Sequence, residues 1–230
     1  FDALDREAET AADLPEAVAA QRLADLVEDV MTAEAADLPA TARSLIRAHL
    51  MAYARDARAM PLRSFAETGR ETGWNPQALA RAYRQEIIAV FRRLAVLRRP
   101  WIEVPAFGLI VVTASGYPLL RRPLSDFALP RHGNACTLWP LFQAFARPGI
   151  LLMDRIEHDT GQPFVTLSHA APRRPTALGE IPDMAAAMLI VAERESPFEG
   201  PSQPAREVGT SCPICTRSDC PARAQPQLLS

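Results

Sequence analysis

Lysine is absent from this chain of 230 residues: every one of its 25 basic residues is an arginine. Replacement this complete is what a GC-rich genome produces, so the arginine count alone says little about partners. No apolar run approaches the ~18–20 residues a membrane-spanning helix needs. The start, Phe1-Asp-Ala-Leu-Asp-Arg-Glu7, is acidic, has neither the basic nor the apolar region of a signal peptide, and has no initiator Met. We therefore expect a cytoplasmic protein. His-Glu-x-x-His occurs nowhere, so a metallopeptidase zinc site cannot form, and the four histidines (49, 132, 158 and 169) are scattered. No nucleophile–base pair stands out either. Ser168 and His169 are neighbours in a predicted strand, which sends their side chains to opposite faces. The expectation is a protein that is not an enzyme.

What is present suffices for a folded core: 48% of residues are apolar and 23% charged, close to the ~25% charged of ordinary soluble domains. The length suits one or two domains. The net charge of −2 hides an asymmetry. Residues 1–40 hold eleven acids against Arg6 and Arg22, a net of −9; residues 81–150 hold ten arginines against Glu86, Glu103 and Asp126, a net of +7. A basic middle suits a polyanion such as a nucleotide, a CoA or DNA, or is a solvated face.

Periodicity divides the chain near residue 100. Residues 1–34 read as one or two amphipathic helices, with Leu14, Val18, Leu23, Leu26, Val27 and Val30 on one side and Pro15 in a first turn. Helices are expected over 42–57, 62–72 and 77–97, the last opened by Asn75 as N-cap and Pro76. Beyond Pro100 the pattern turns β-branched: strands at 106–113 and 119–122 around a turn at Ser115-Gly116, a helix over 137–146, and strands at 150–158 and 164–170 flanking a hairpin turn at Gly161. Residues 184–191 are apolar but ambiguous in type, and 196–210 read as a loop. The predicted class is α+β: a helical region over 1–100, then a mixed α/β domain over 101–230 with a Cys-rich tail.

That tail holds three of the four cysteines within nine residues, Cys212-Pro-Ile-Cys215-Thr-Arg-Ser-Asp-Cys220. C-x2-C lets two thiolates of one tight turn face a single metal, and C-x4-C brings a third. Cys136, 76 residues upstream of Cys212 in a Gly/Asn loop, can complete a set of four. Disulfides fit poorly with a reducing cytoplasm. A thioredoxin-type redox pair needs a strand-to-helix setting that is missing. Structural zinc and an iron–sulfur cluster both remain, since spacing alone does not separate them.

The tail, read as Cys212-Pro-Ile-Cys215-x-Arg217-x-Asp219-Cys220-Pro221-x-Arg223-Ala224, resembles the end of the short-chain fatty acyl-CoA regulator family, bacterial transcription factors with an XRE-type helix-turn-helix. Gly133-Asn-Ala-Cys136-Thr-Leu-Trp139-Pro140, followed by Phe145-Ala-Arg147-Pro148, resembles its central signature. Phe107-Gly-Leu with Ala114-Ser-Gly116 resembles its first hairpin, and Phe91-Arg-Arg-Leu94 through Pro100 the helix that leads in. Met60-Pro61 with Phe65, and Leu79 through Tyr83, resemble the end of the metallopeptidase-like segment before it. The resemblance covers roughly residues 55–230. It implies a sensor domain that binds a short-chain acyl-CoA such as propionyl- or acetyl-CoA. It also implies a 4Fe-4S cluster on Cys136, Cys212, Cys215 and Cys220, with zinc as the alternative. DNA contact would come only through a helix-turn-helix that residues 1–54 do not show, and a homodimer is expected because operators are palindromic.

A CoA carries phosphates that call for arginine forks and an adenine that stacks on a flat group. The candidates are Arg121, Arg122, Arg131 and Arg147, with Trp139 or Tyr117 for stacking; Arg173-Arg174 is a further basic corner.

Overall fold

Proline sets the helix starts in the first half of the chain. The computed structural model describes residues 1–97, 102–130, 134–158, 161–201 and 204–228. The chain forms two units, Phe1–Arg93 and Leu94–Ser230. In the first, α1 (Asp2–Thr10), α2 (Glu16–Glu34), α3 (Ala40–Ala59), α4 (Leu62–Glu71) and α5 (Pro76–Tyr83) follow one another. Pro15, Pro39 and Pro61 stand at the N-caps of α2, α3 and α4. Asn75 caps α5 as expected, its side-chain oxygen accepting from the Gln77 and Ala78 amides at 2.9 and 3.2 Å. The α2 stripe is narrower than the sequence pattern suggests. Ala19, Leu23, Val27 and Met31 are buried at strict four-residue steps, whereas Val18 is 47% exposed.

The helix expected over 77–97 is two. Arg84 takes the left-handed conformation (φ 51°, ψ 43°) and ends α5, and α6 restarts at Ile87–Leu94. The Gln85 amide reaches back to the Ala80 carbonyl at 3.0 Å, the closing bond of a helix C-cap. A glycine would have announced this break; an arginine at positive φ does not.

Trp74 also sits at positive φ (59°), and its ring lies against Gly69 of α4. A Cβ on Gly69 would stand 2.3 Å from Trp74 Cζ3. Gly69→Ala gains about 1 kcal/mol of helix propensity but forces a nearly buried indole out of its seat, an overpacking cost of about 1–3 kcal/mol. The clash wins, and we expect a lower urea midpoint; a raised midpoint would refute the packing described.

The second unit is built on a six-stranded sheet in the order β2-β1-β5-β4-β3-β6. Its strands are β1 (Phe107–Thr113), β2 (Pro118–Arg122), β3 (Leu152–His158), β4 (Pro163–Pro172), β5 (Met184–Ala192) and β6 (Arg206–Val208). All neighbours are antiparallel except β3 and β6. The ambiguous 184–191 segment is the inner strand β5, buried on both faces, which is why its apolar run shows no alternation. Ala186, Met188 and Ile190 face a cluster with Ile110, Val112, Phe164, Ile156, Val208 and Trp139.

Two details differ from the sequence reading. Only Pro140–Gln143 of the expected 137–146 helix is α-helical (α7), continued by a 3-10 turn over Ala144–Ala146. Pro140 disfavours the helical conformation for the residue before it, and Trp139 is extended (φ −63°, ψ 135°). The loop expected over 196–210 contains β6, whose three residues run parallel to the end of β3. That pairing delivers the chain to Cys212.

Candidate metal centre

β6 and the segment before α7 bring the two halves of the cysteine set together. The Cys136 amide donates to the Thr210 carbonyl at 3.0 Å, and the buried Trp139 indole N–H donates to the Gly209 carbonyl at 2.8 Å. Thr210 Oγ1 lies 3.0 Å from Nε2 of the buried His158 at the end of β3. Thr137 Oγ1 donates to the Ala222 carbonyl at 3.3 Å. The first cysteine loop and the tail are thus laced together across a long stretch of sequence.

All four cysteines line one cavity, together with Leu138, Gly209, Ser211, Arg217, Ala222 and Arg223. All four are free thiols, Cys136 and Cys215 buried, Cys212 and Cys220 half-buried. Cys212 to Ile214 form a 3-10 turn, so Pro213 constrains the backbone between the first two thiols. Burial pushes the Cys136 thiol up; hydrogen bonds from the Gly209 and Leu138 backbone pull it down, and Cys212 and Cys215 nearby push it up again. The Ala224 amide donates to Cys212 Sγ at 3.5 Å. Backbone amides aimed at sulfur are what a thiolate ligand requires, and the donor set fits a thiolate-bound centre. Among the described residues no three His, Cys, Asp or Glu side chains converge closely enough to hold a single ion. A zinc ion with Zn–S of about 2.3 Å would draw the sulfurs to roughly 3.8 Å from one another.

The arginine candidates are not brought together. Arg121 pairs across from Ile110, and Arg122 from Leu109, so these neighbours point to opposite faces of the sheet. Arg121 donates to the Pro130 carbonyl at 2.6 Å. Arg147 is exposed, and its near neighbour Gly149 is bonded to Ala170 of β4. β4 lies three strands from β2, or about 14 Å at ~4.8 Å per strand. Arg131 lies outside the described residues. Trp139 has no exposed surface; it packs in the core against Phe127, the rings tilted with centroids 5.4 Å apart, rather than offering a face to a nucleotide. Tyr117 is 69% exposed at the β1–β2 turn. Arg173 and Arg174 are engaged by Asp183 and Glu180 at 3.0 and 2.8 Å.

Sequence reasoning missed Arg223. Its guanidinium donates to the Cys212 carbonyl at 3.1 Å and the Cys215 carbonyl at 3.4 Å, and also to the carbonyl of Arg217. Its place beside the cysteines was visible, but not that it folds back over them.

Fold and site together define a thiol-rich α+β domain, preceded by a helical unit. The family is more particular. The model of the short-chain fatty acyl coenzyme A regulator C-terminal domain matches residues 96–230, and the chain belongs to that family. Its members are regulators of transcription rather than enzymes. The chain is 29% identical over 181 residues to a propionyl-CoA carboxylase regulator of Cereibacter sphaeroides, covering 75% of this chain and 39% of that protein. It is 25% identical over 182 residues to the HTH-type transcriptional regulator RamB of Mycobacterium tuberculosis, covering 75% and 38%. The chain thus spans under two fifths of the length of these curated relatives. Among solved structures, a Mycobacterium tuberculosis transcriptional regulator superposes with a TM-score of 0.78 at 23% identity, covering 97% of this chain and 68% of that one, which shows a shared fold.

Proposed function

We propose that the chain is the ligand-sensing part of a transcriptional regulator of short-chain acyl-CoA metabolism, with a 4Fe-4S cluster on Cys136, Cys212, Cys215 and Cys220. The observation that carries this reading is the meeting of four free thiols from two distant segments around one cavity. Four protein ligands leave no open position for catalysis, so the centre serves structure or sensing. A bound cluster supplies sensitivity to redox or iron status. The chain's own part is to hold the tail against the Cys136–Trp139 segment, so that loss of the centre releases the tail. Zinc is the second reading, because the thiol set serves it too; closing on one ion asks the sulfurs to draw inward, whereas a cluster has separate corners for them.

The ligand is a short-chain acyl-CoA, in keeping with the family and with the name of the Cereibacter relative. Arg121, Arg122, Arg131 and Arg147 remain candidates for its phosphates, although the opposite faces of Arg121 and Arg122 mean that one site uses only one of that pair. DNA binding would belong to a helix-turn-helix outside this chain, in a homodimer. Anaerobically purified protein should be brown, with broad absorbance near ~400 nm from thiolate-ligated iron; colourless, zinc-loaded protein would select the second reading. Propionyl-CoA at 100 times its Kd should stabilise the fold by about 2.7 kcal/mol, and free CoA at equal concentration by less. Equal thermal shifts from the two would refute acyl recognition.

A further inference from the structure

We infer that Arg223 is the positioning residue of the thiol centre, holding the tail cysteines in ligating order from behind; this rests on the reading that the thiols bind a metal or cluster. The segment from Cys212 to Cys220 contains no strand and only one 3-10 turn. Its internal bonds are few and long, such as the Cys215 amide to the Cys212 carbonyl at 3.4 Å. One planar guanidinium spans that gap. Nη1 donates to the carbonyl of Cys212, Nη2 to those of Cys215 and Arg217, and the Arg223 amide closes on the Cys220 carbonyl at 3.1 Å. Every tail cysteine is therefore tied by its own backbone to one residue. A rigid fork does this at a single fixed geometry, which a flexible ammonium does not.

Charge points the same way. The described residues that line the cavity include Arg217 and Arg223 and no carboxylate. Arg217 is engaged by Glu207. The Arg223 partners given above are neutral carbonyls, which leaves its charge to offset thiolates. Outer partners of metal ligands typically govern affinity ~10–100-fold.

The experiment compares wild type, Arg223→Lys and Arg223→Gln in the whole chain, loaded either with zinc or, anaerobically, with ferrous iron and sulfide. Retained metal per chain and its rate of release to a chelator are measured, alongside the melting temperature of the metal-free chains. Arg223→Gln should release metal at least ~10-fold faster. Arg223→Lys, keeping charge without the fork, should fall between, and the metal-free melting temperatures should differ far less than the loaded ones. Wild-type release rates in Arg223→Gln overturn the inference. So does a metal-free melting temperature lowered as much as the loaded one, since that marks a purely structural side chain. A wild-type chain that retains metal in neither loading sinks the proposed centre itself, and this inference with it.

Discussion

Cys136→Ser will empty the thiol centre and leave the sheet standing. The exchange replaces one atom in a side chain that is 8% exposed, at the rim of a core whose bulk is Trp139, Phe127, Phe164 and the strand residues. The cost to the fold is therefore small, while the one proposed ligand outside the tail is lost. The tail then keeps only backbone bonds and side-chain contacts of the ordinary kind, among them Cys136 to Thr210, the Trp139 indole to Gly209, Thr137 to Ala222 and Arg217 to Glu207. Each contributes about 1 kcal/mol net, too little to keep an irregular tail closed. Trypsin should then cut after Arg217 and Arg223 in Cys136→Ser and in Cys215→Ser, and spare the loaded wild type. Metal per chain should fall to near zero in both. If tail and ligand site are coupled, acyl-CoA affinity falls as well. Undiminished metal content in Cys136→Ser would remove it from the ligand set; unchanged affinity and proteolysis in Cys215→Ser would remove the coupling. The pH dependence has a definite sign. Burial raises the Cys136 thiol, so binding a metal must expel its proton, and affinity weakens as pH falls below that raised value.

Much of this was legible in the chain because the signals were local. C-x2-C-x4-C is a statement about one loop, Asn75-Pro76 about one cap, and the β-branched run at Phe107–Thr113 about one strand. What escaped depended on neighbours far away in sequence. β6 is three residues in a proline-rich stretch, and only its partner β3 makes it a strand. The break after Tyr83 falls on an arginine, without the glycine that left-handed backbone normally recruits. Trp139 reads as an available ring, yet it lies under Phe127 with its N–H committed to Gly209. Arg121 and Arg122 form the instructive case. The alternation that sends Ser168 and His169 to opposite faces applies equally to two adjacent arginines in a strand, so their sequence alone already separates them.

Asp5→Asn should destabilise the helical unit by about 3–5 kcal/mol, the cost of leaving one member of a buried ion pair alone. Arg93 has no exposed side-chain surface, Asp5 only 3%, and their Nη1 and Oδ1 atoms are 2.8 Å apart. Tyr53 completes the arrangement. Its hydroxyl donates to Asp5 Oδ2 at 2.7 Å and accepts from Arg93 Nη1 at 3.3 Å, and its ring lies 5.6 Å below the guanidinium. Arg93 Nε also holds the Met60 carbonyl at 2.9 Å, so one side chain joins α1, the end of α3 and α6. The pair is poor evidence of net stability, because desolvating two charges consumes most of what their attraction returns. Its removal in two steps is more informative. Arg93→Met takes the guanidinium from the Asp5 carboxylate and should also destabilise the unit, whereas Asp5→Leu with Arg93→Met removes both charges and should cost less than the two single changes added together. Tyr53→Phe, which deletes one hydroxyl and keeps the charges matched, should cost about 1 kcal/mol. Urea denaturation followed by amide exchange in α1 and α3 reads all four variants. A loss below about 1 kcal/mol for Asp5→Asn, well short of the cost of a stranded buried charge, would mean that water reaches Arg93 in solution, and that α1 is held by Leu4 and Ala8 rather than by this charge.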